Sequence, residues 1–495
     1  MLLNGQKIHK EDFLAIKSEI TDEGLILSVK GKKYRTAYPK EIWKAYPETK
    51  KEALLDNLAF AKTLHLAMAN GKKGIVYSTA APLFENFAFR CTLYDFPSTA
   101  QVDNKKTTDL IREFFNSTFV FSSYDTVIPE QAKKKKANTN KKPSAIILFT
   151  AGKESLLTTA LCLELGITPI LVYIDEDPSS PETKHKESII QTVEQEYGLK
   201  VHRILSETAD LRKYDLQGKD SELGMGTLLL GYTMEVMPFA HYFDADYIFL
   251  GNEYDCDEYT YDKEGFKNSF SYDQRSDWTK QMDIVAKILG NSTITAGSLV
   301  GPLYEFGILK VLHKRYPAIG MLQMSCFVDN NEGKDHRWCC NCSKCAWVYA
   351  MLKGLGVDTA MMGFHKDMFS KDCKKHYSIF ECPDFNEFIY DPNGLGKEEQ
   401  ALAFYMAARN GEEGELVDEF KKMPLYEEIK SNVRRVQNIY FSQYDCIHLP
   451  FELKDKVMDI YDETFEGKFT PKDFRTAQKT KAEPAKDAEE LVEEQ

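Results

Sequence analysis

Six consecutive residues, Thr150-Ala151-Gly152-Lys153-Glu154-Ser155, place a glycine, a cation and two hydroxyls between an apolar run at 145–149 and leucines at helical spacing over 156–165. A tight strand-to-helix turn leaves backbone N–H groups unpaired at the positive end of a helix, where they suit an anion. Gly152 removes a Cβ that would block close approach, Lys153 adds a full positive charge, and Thr150 and Ser155 offer hydroxyls. That is the outline of a phosphate cradle, although neither G-x-x-x-x-G-K-[ST] nor G-x-G-x-x-G occurs in the chain.

A second group is built for metal. Cys339, Cys342 and Cys345 keep a C-x2-C-x2-C spacing, and Cys326 lies thirteen residues upstream of the first. Two-residue gaps let thiolates from one turn face a single ion, and Zn²⁺ closes tetrahedrally on four of them. Cys340 is a fifth candidate. A four-thiolate centre has no open position, so this zinc is expected to be structural. Carboxylates form the third group. Glu253, Asp255, Asp257 and Glu258 follow an apolar run at 247–250, and Mg²⁺ binds through one or two carboxylates plus phosphate oxygens. The alternative is a solvated acidic loop, with Glu253 the exception because it directly follows a buried strand. The polar, aromatic stretch 251–278 reads as a surface loop or a lid. Glu305 either caps an apolar helix or points at a ligand, and His65 reads as an ordinary packed histidine.

These groups need elements to position them. Strand candidates at 145–149, 170–174, 201–205 and 247–250 alternate with helical patterns at 156–165, 182–198 and 223–239. Such alternation predicts an α/β fold with a doubly wound parallel sheet. Ligands collect at the carboxyl ends of such strands. That rule aligns the 150–155 turn, Asp175 and Gly251-Asn252-Glu253 along one edge. Residues 1–130 read as an α+β domain, with a hairpin at 24–38 turning on Lys30-Gly31-Lys32, an amphipathic helix at 50–69 and a strand at 74–79. Residues 131–143 form a basic linker, and 144–365 the nucleotide-binding domain with the zinc site. Residues 366–477 are expected to be mainly helical, at 398–409, 416–422 and 433–441, and 478–495 a disordered tail. A net charge of −13 argues against a nucleic-acid-coating surface. The absence of an 18-residue apolar run and of a signal pattern predicts a cytoplasmic protein away from membranes.

The 150–155 turn resembles the S-G-G-x-D-S loop of the PP-loop ATP pyrophosphatases, with Thr150 for the Ser, Ala151 for the first Gly and Glu154 for the Asp. Two families in that superfamily join such a loop to clustered cysteines. The 7-cyano-7-deazaguanine synthases do so in one compact domain. The chain is more similar to the UDP-N-acetylmuramoyl-L-alanyl-L-glutamate epimerases. Gly251-Asn252-Glu253-Tyr254 resembles their S-N-E-x, and Pro302-Leu303-Tyr304-Glu305 their R-P-L-S-E. Ser325-Cys326 with Trp338-Cys339-x-x-Cys342-x-Lys344-Cys345 resembles their S-C-N and W-C-G-x-C-P-K-C. That family also has an N-terminal domain before the loop. The likeness covers roughly residues 140–355, and 268–276 keeps only scraps of the family's N-H-Q-Y-S-K-S segment.

The resemblance implies an adenine-nucleotide α-hydrolase (HUP-like) fold, ATP and Mg²⁺ as cofactors, and an ATP-dependent epimerase. A substrate carboxylate would be activated as its adenylate, with pyrophosphate released. The partner is then a small-molecule or nucleotide-linked peptide substrate. Lys153, Glu253 and Glu305 become the catalytic candidates. Thr150, Ala151, Gly152, Lys153, Glu154, Ser155, Asp175 and Asn252 become the nucleotide contacts. An adenylate-forming ligase and a non-catalytic nucleotide-binding zinc module are the alternatives.

Overall fold

Ten strands form one sheet: β1 (Phe13–Thr21), β2 (Gly24–Val29), β3 (Lys32–Ala37), β4 (Gly74–Tyr77), β5 (Thr118–Val120), β6 (Ser144–Leu148), β7 (Thr168–Asp175), β8 (Val201–Ser206), β9 (Tyr247–Phe249) and β10 (Thr295–Gly297). Their spatial order is β10-β9-β6-β7-β8-β3-β2-β1-β4-β5. The five strands from β10 to β8 are all parallel. Counted within that half, the order is 5-4-1-2-3. The first strand, β6, therefore has β7 on one side and β9 on the other, and the connections leave it in opposite directions. That is a topological switch point. The structure is a computed structural model that describes residues 9–130, 141–214, 221–269, 271–326, 332–380 and 396–476, with the backbone of Leu2–Leu3 and Gln6–Lys7.

Both faces of the parallel strands are covered. Ala145 and Ile147 of β6, with Leu171 and Tyr173 of β7, enter one core. Their neighbours Ile146, Ile170 and Val172 enter the other. Strands buried on both faces lose the polar alternation of a one-sided sheet, which is why β6 and β7 read as unbroken apolar runs. The second core also holds Leu14, Trp43, Leu54 and Leu58 from the N-terminal part. The expected 1–130 unit thus shares its core with the parallel half. It also shares the sheet, because β8 pairs with β3 antiparallel at Leu205–Ala37 and Ser206–Thr36.

Helix α1 (Glu48–Ala61) is buried on every side from Ala53 onward, in place of the one-sided helix expected at 50–69, and Leu66–Ala69 is a separate turn. A helix packed on every side has no solvent stripe. The hairpin turns on Lys30 and Gly31, which both carry positive φ, 51° and 83°, as a two-residue turn requires. Helix α2 (Lys153–Leu165) follows β6 and ends at left-handed Gly166. Helix α3 (Pro181–Tyr197) starts at Ser180, whose hydroxyl accepts the Thr183 N–H, and stops at left-handed Gly198.

The helix expected at 223–239 is broken into a 3-10 turn at Met225–Thr227, α4 (Leu228–Glu235) and α5 (Met237–Tyr242). Pro238, in the first turn of α5, has no N–H to continue the ladder. Helix α6 (Ser276–Val285) and strand β10 carry no sequence signal of their own. Helix α7 (Glu305–Arg315) begins at Glu305 itself, and α8 (Ser343–Gly354) follows the cysteines.

C-terminal to these lie α9 (Lys397–Arg409), Glu415–Phe420, α10 (Pro424–Tyr440) and α11 (Lys454–Phe465). Helix α10 starts well before the expected residue 433, and α11 is additional. Most of the basic linker, at 131–140, and the expected disordered tail lie outside the described residues. Among the described residues no helix is long and apolar enough to cross a membrane.

Candidate functional site

The turn from β6 into α2 sits at the switch point, with the turn after β9 beside it. Its strained residue is Ala151, at φ 58°, while Gly152 has φ −73° and ψ 167° as the helix N-cap. The left-handed conformation therefore falls one residue before the glycine, at a side-chain-bearing position. An L residue in the left-handed region costs about 1–2 kcal/mol, and such strain gathers at functional sites. The hydroxyls brace the turn from within. Thr150 Oγ1 accepts the Gly152 N–H at 3.3 Å, and Ser155 Oγ accepts the Thr150 N–H at 3.3 Å while donating to the Gly152 carbonyl at 3.2 Å. Gly152 supplies no side-chain cap; the first N–H groups of α2 open on the strand edge, and that of Glu154 is taken by its own carboxylate.

Lys153, only 1% exposed, is the centre of the site. Its Nζ pairs with Glu154, with Glu253 Oε1 at 3.2 Å and with Glu305 Oε1 at 2.9 Å. Burial alone would lower the lysine pKa, but the three carboxylates outweigh it and hold the ammonium well above its ordinary range. Burial raises Glu154 less than Lys153 and Lys344 lower it, so it stays ionised. Glu253 is pushed well up by burial and by Asp255. Asp255 is raised by burial and then by Glu399 and Glu305. Lys344, at the start of α8, stands 3.8 Å from Glu305 Oε1. Four carboxylates (Glu154, Glu253, Asp255, Glu305) thus surround two ammonium groups, Lys153 and Lys344, and Glu399 adds its charge beside Glu305. A bare anion is disfavoured there, whereas a phosphate chain arriving with a divalent cation is not.

The other candidates fall elsewhere. Asn252 is buried with its amide donating to Thr279 Oγ1 of α6 at 2.6 Å. Its carbonyl accepts the Ser298 hydroxyl at 2.7 Å, so the residue ties β9 to its neighbours. Asp175 ends β7 and lies 3.4 Å from the Thr183 hydroxyl of α3, with its pKa raised by burial. Of the acidic run, Asp257 caps α6 by accepting the Ser276 N–H at 2.8 Å, and Glu258 accepts the Tyr304 hydroxyl at 2.7 Å. Only Glu253 and Asp255 turn toward the lysine. The 251–278 stretch includes a small hairpin, Thr260–Tyr261 with Lys267–Asn268. Glu264 within it accepts the Thr108 N–H of helix Thr107–Phe115 at 3.1 Å, which docks the stretch. His65 is buried, with Nε2 3.4 Å from the Leu211 carbonyl, and burial lowers its pKa to about 4.

Sequence reasoning missed Asp255 as distinct from its acidic neighbours, Lys344 as a site residue, and Glu399 altogether. Glu399 lies in the first turn of α9, 2% exposed, and accepts the Phe306 N–H of α7 at 2.9 Å. Nothing in its local sequence marks it out. Lys344 had a signal in its place between two ligand cysteines.

Cys326, Cys339, Cys342 and Cys345 bring their sulfurs within 4.8 Å of one another. Tetrahedral Zn–S bonds of about 2.3 Å put sulfurs roughly 3.8 Å apart, and Cys339 Sγ and Cys345 Sγ are 3.7 Å apart. Backbone N–H groups of Asn341 and Cys345 point at Cys339 Sγ and Cys342 Sγ, each at 3.4 Å, and offset thiolate charge. The residues fit a four-thiolate metal. Cys340, the fifth candidate, is left out of the group: its left-handed φ of 50° turns its thiol to the backbone of His365 and Lys366.

No family model, no curated protein and no solved structure matches the chain. What the residues themselves define is an α/β protein with a mostly parallel sheet, a buried lysine–carboxylate cluster at its switch point and a cysteine centre beside it.

Proposed function

We propose that the chain is an ATP-dependent enzyme of the PP-loop pyrophosphatase type, with a HUP-like nucleotide domain. It activates a substrate carboxylate as an adenylate and epimerises an acidic amino-acid residue in a UDP-muramoyl-peptide-like molecule. The observation that carries this reading is the position of Lys153: buried in the first turn of the helix after β6, at the switch point, within reach of Glu253 and Glu305. Attack of a carboxylate oxygen on the α-phosphate gives the acyl-adenylate and pyrophosphate. Adenylation acidifies the α-carbon, so one group removes its proton and another returns one on the opposite face. Hydrolysis then yields AMP and the epimer.

Lys153 and the N–H groups of the first turn of α2 neutralise the departing pyrophosphate. Mg²⁺, which binds through one or two carboxylates, would be held by Asp255 and supply charge neutralisation between phosphates. Glu305 and the raised carboxyl of Glu253 are the groups available for proton transfer.

The test is turnover in D₂O with ATP, Mg²⁺ and a UDP-muramoyl-L-alanyl-L-glutamate substrate. Expected products are AMP, pyrophosphate and deuterium at the glutamate α-carbon. AMP without deuterium points to a ligase, and ADP or no turnover removes the reading.

A further inference from the structure

The cysteine centre and the lysine cluster are two parts of one structure. Cys342 is the N-cap of α8, its sulfur accepting the Cys345 N–H. Between those two ligands, in the first turn of the helix, stands Lys344. Its ammonium lies over the Trp347 ring, 4.9 Å from the centroid, and 3.8 Å from Glu305 Oε1. Glu305 Oε1 is in turn 2.9 Å from Lys153 Nζ. One carboxylate thus stands between two cations, and after Lys153 it is Lys344 that most strongly holds Glu154 ionised.

A second connection is independent of the first. The Met324 N–H donates to the carbonyl of Ala151 at 2.8 Å, two residues before Cys326. The segment that delivers one ligand to the metal therefore also pins the one left-handed residue of the cradle.

A lysine at the start of a helix opposes the helix dipole. An unconstrained side chain would turn to solvent, yet Lys344 is 21% exposed and faces the carboxylates. The cysteines fix the first turn on both sides of it, which sets the direction in which its side chain leaves.

We propose that Lys344 is the second cation of the cradle, binding the polyphosphate opposite Lys153, and that the cysteine centre positions it. The ligand class is a magnesium-bound pyrophosphate group, free or as part of a nucleoside triphosphate. This rests on the phosphate-cradle reading of the 150–155 turn and extends it to a residue outside the loop. The ammonium also lies over the Trp347 ring. Lys344→Arg is therefore informative beside Lys344→Ala, since it keeps charge and bulk but changes the donor geometry.

The test is calorimetric titration of full-length, metal-bearing protein with Mg²⁺–pyrophosphate and, separately, Mg²⁺–ATP. Wild type, Lys344→Ala, Lys344→Arg and Lys153→Ala are compared, with zinc content measured for each. Loss of one charge-assisted contact weakens binding by about tenfold or more. The expected result is that loss in Lys344→Ala for both ligands, at unchanged zinc content, with partial recovery in Lys344→Arg. A loss for ATP alone would place Lys344 at the nucleoside and overturn the pyrophosphate assignment. Wild-type affinity in Lys344→Ala, with binding lost in Lys153→Ala, would overturn the role of Lys344 and leave the cradle intact. Wild-type affinity in both variants, or no binding by wild type, would remove the cradle and this proposal together. Hydrogen exchange at residues 150–155 should also quicken on chelation, and unchanged exchange in folded, metal-free protein would overturn the positioning role of the centre.

Discussion

Ala151 carries the local cost of the cradle. Its φ of 58° is uncommon for an L residue outside Asn and Asp. Relieving that conformation is worth about 1–2 kcal/mol, and placing glycine in the unfolded chain costs about 0.5–1 kcal/mol. Ala151→Gly should therefore stabilise the fold by about 0.5–1 kcal/mol in urea denaturation, and a loss of stability would contradict the assigned strain. The neighbouring lysine behaves differently. Buried ion pairs do not by themselves stabilise a fold, because desolvation offsets the Coulomb gain. A lysine enclosed by three carboxylates is thus more readily understood as preorganised for a ligand than as a device for stability.

At the scale of elements, α4 shows how a buried helix start is satisfied at a distance. The Gly226 N–H donates to Asp95 at 3.1 Å and the Leu229 N–H to Asp273 at 2.9 Å. Burial pushes Asp95 up to about 8, with Asp273 adding to it, and burial pushes Asp273 up to about 7. A carboxyl raised in the folded state stabilises most below its unfolded value near 3.8, and that contribution is lost as pH rises through the folded value. The thermal midpoint should accordingly fall between pH 6 and pH 8.5. Asp273→Asn keeps a carbonyl for the Leu229 N–H and cannot ionise, so it should flatten that fall. An identical pH slope in wild type and variant would refute the assignment. Acid behaviour is separate: Glu164, lowered to about 2 by Arg315, Lys472 and Tyr316 against its burial, contributes stability above pH 4.5 that is lost toward pH 2.

Across the whole molecule, the C-terminal helices complete the site. Glu399 from α9 reaches the start of α7. The segment after α10 crosses the strand ends, with the Ser298 N–H bonded to the His448 carbonyl at 3.0 Å and the Tyr444 N–H to the Pro302 carbonyl at 2.9 Å. Gly297 is what lets it pass, since a Cβ there would lie 2.4 Å from the His448 carbonyl oxygen. Cys326, Cys339 and Cys345 lie in the same core as α2, α7 and α9, so metal loss should be felt globally. Purified protein should hold about one zinc per chain, and Cys342→Ser should lose it and roughly 3 kcal/mol or more of stability. Metal analysis finding neither zinc nor iron in intact protein would refute the centre.

The amino-acid pattern alone marks β6, β7 and β9, because burial on both faces leaves unbroken apolar runs, whereas β8 keeps His202 and Arg203 and β10 carries no signal. The pattern also marks the cysteine centre, because a metal's ligands keep local spacing. The loop could be read as a cradle from Gly152 and Lys153, since both act within one turn. Which acids gather around Lys153 and its carboxylate partners is set by the tertiary fold. Glu253 and Asp255 share a run with Asp257 and Glu258, yet the last two are taken up by Ser276 and Tyr304. Glu399 arrives from far along the chain, and no local pattern encodes such an approach. The same holds for α1 and for the joined sheet. Amphipathic pattern reports how many sides of an element are covered, not what covers them, and the partner of β8 is β3, more than 160 residues earlier.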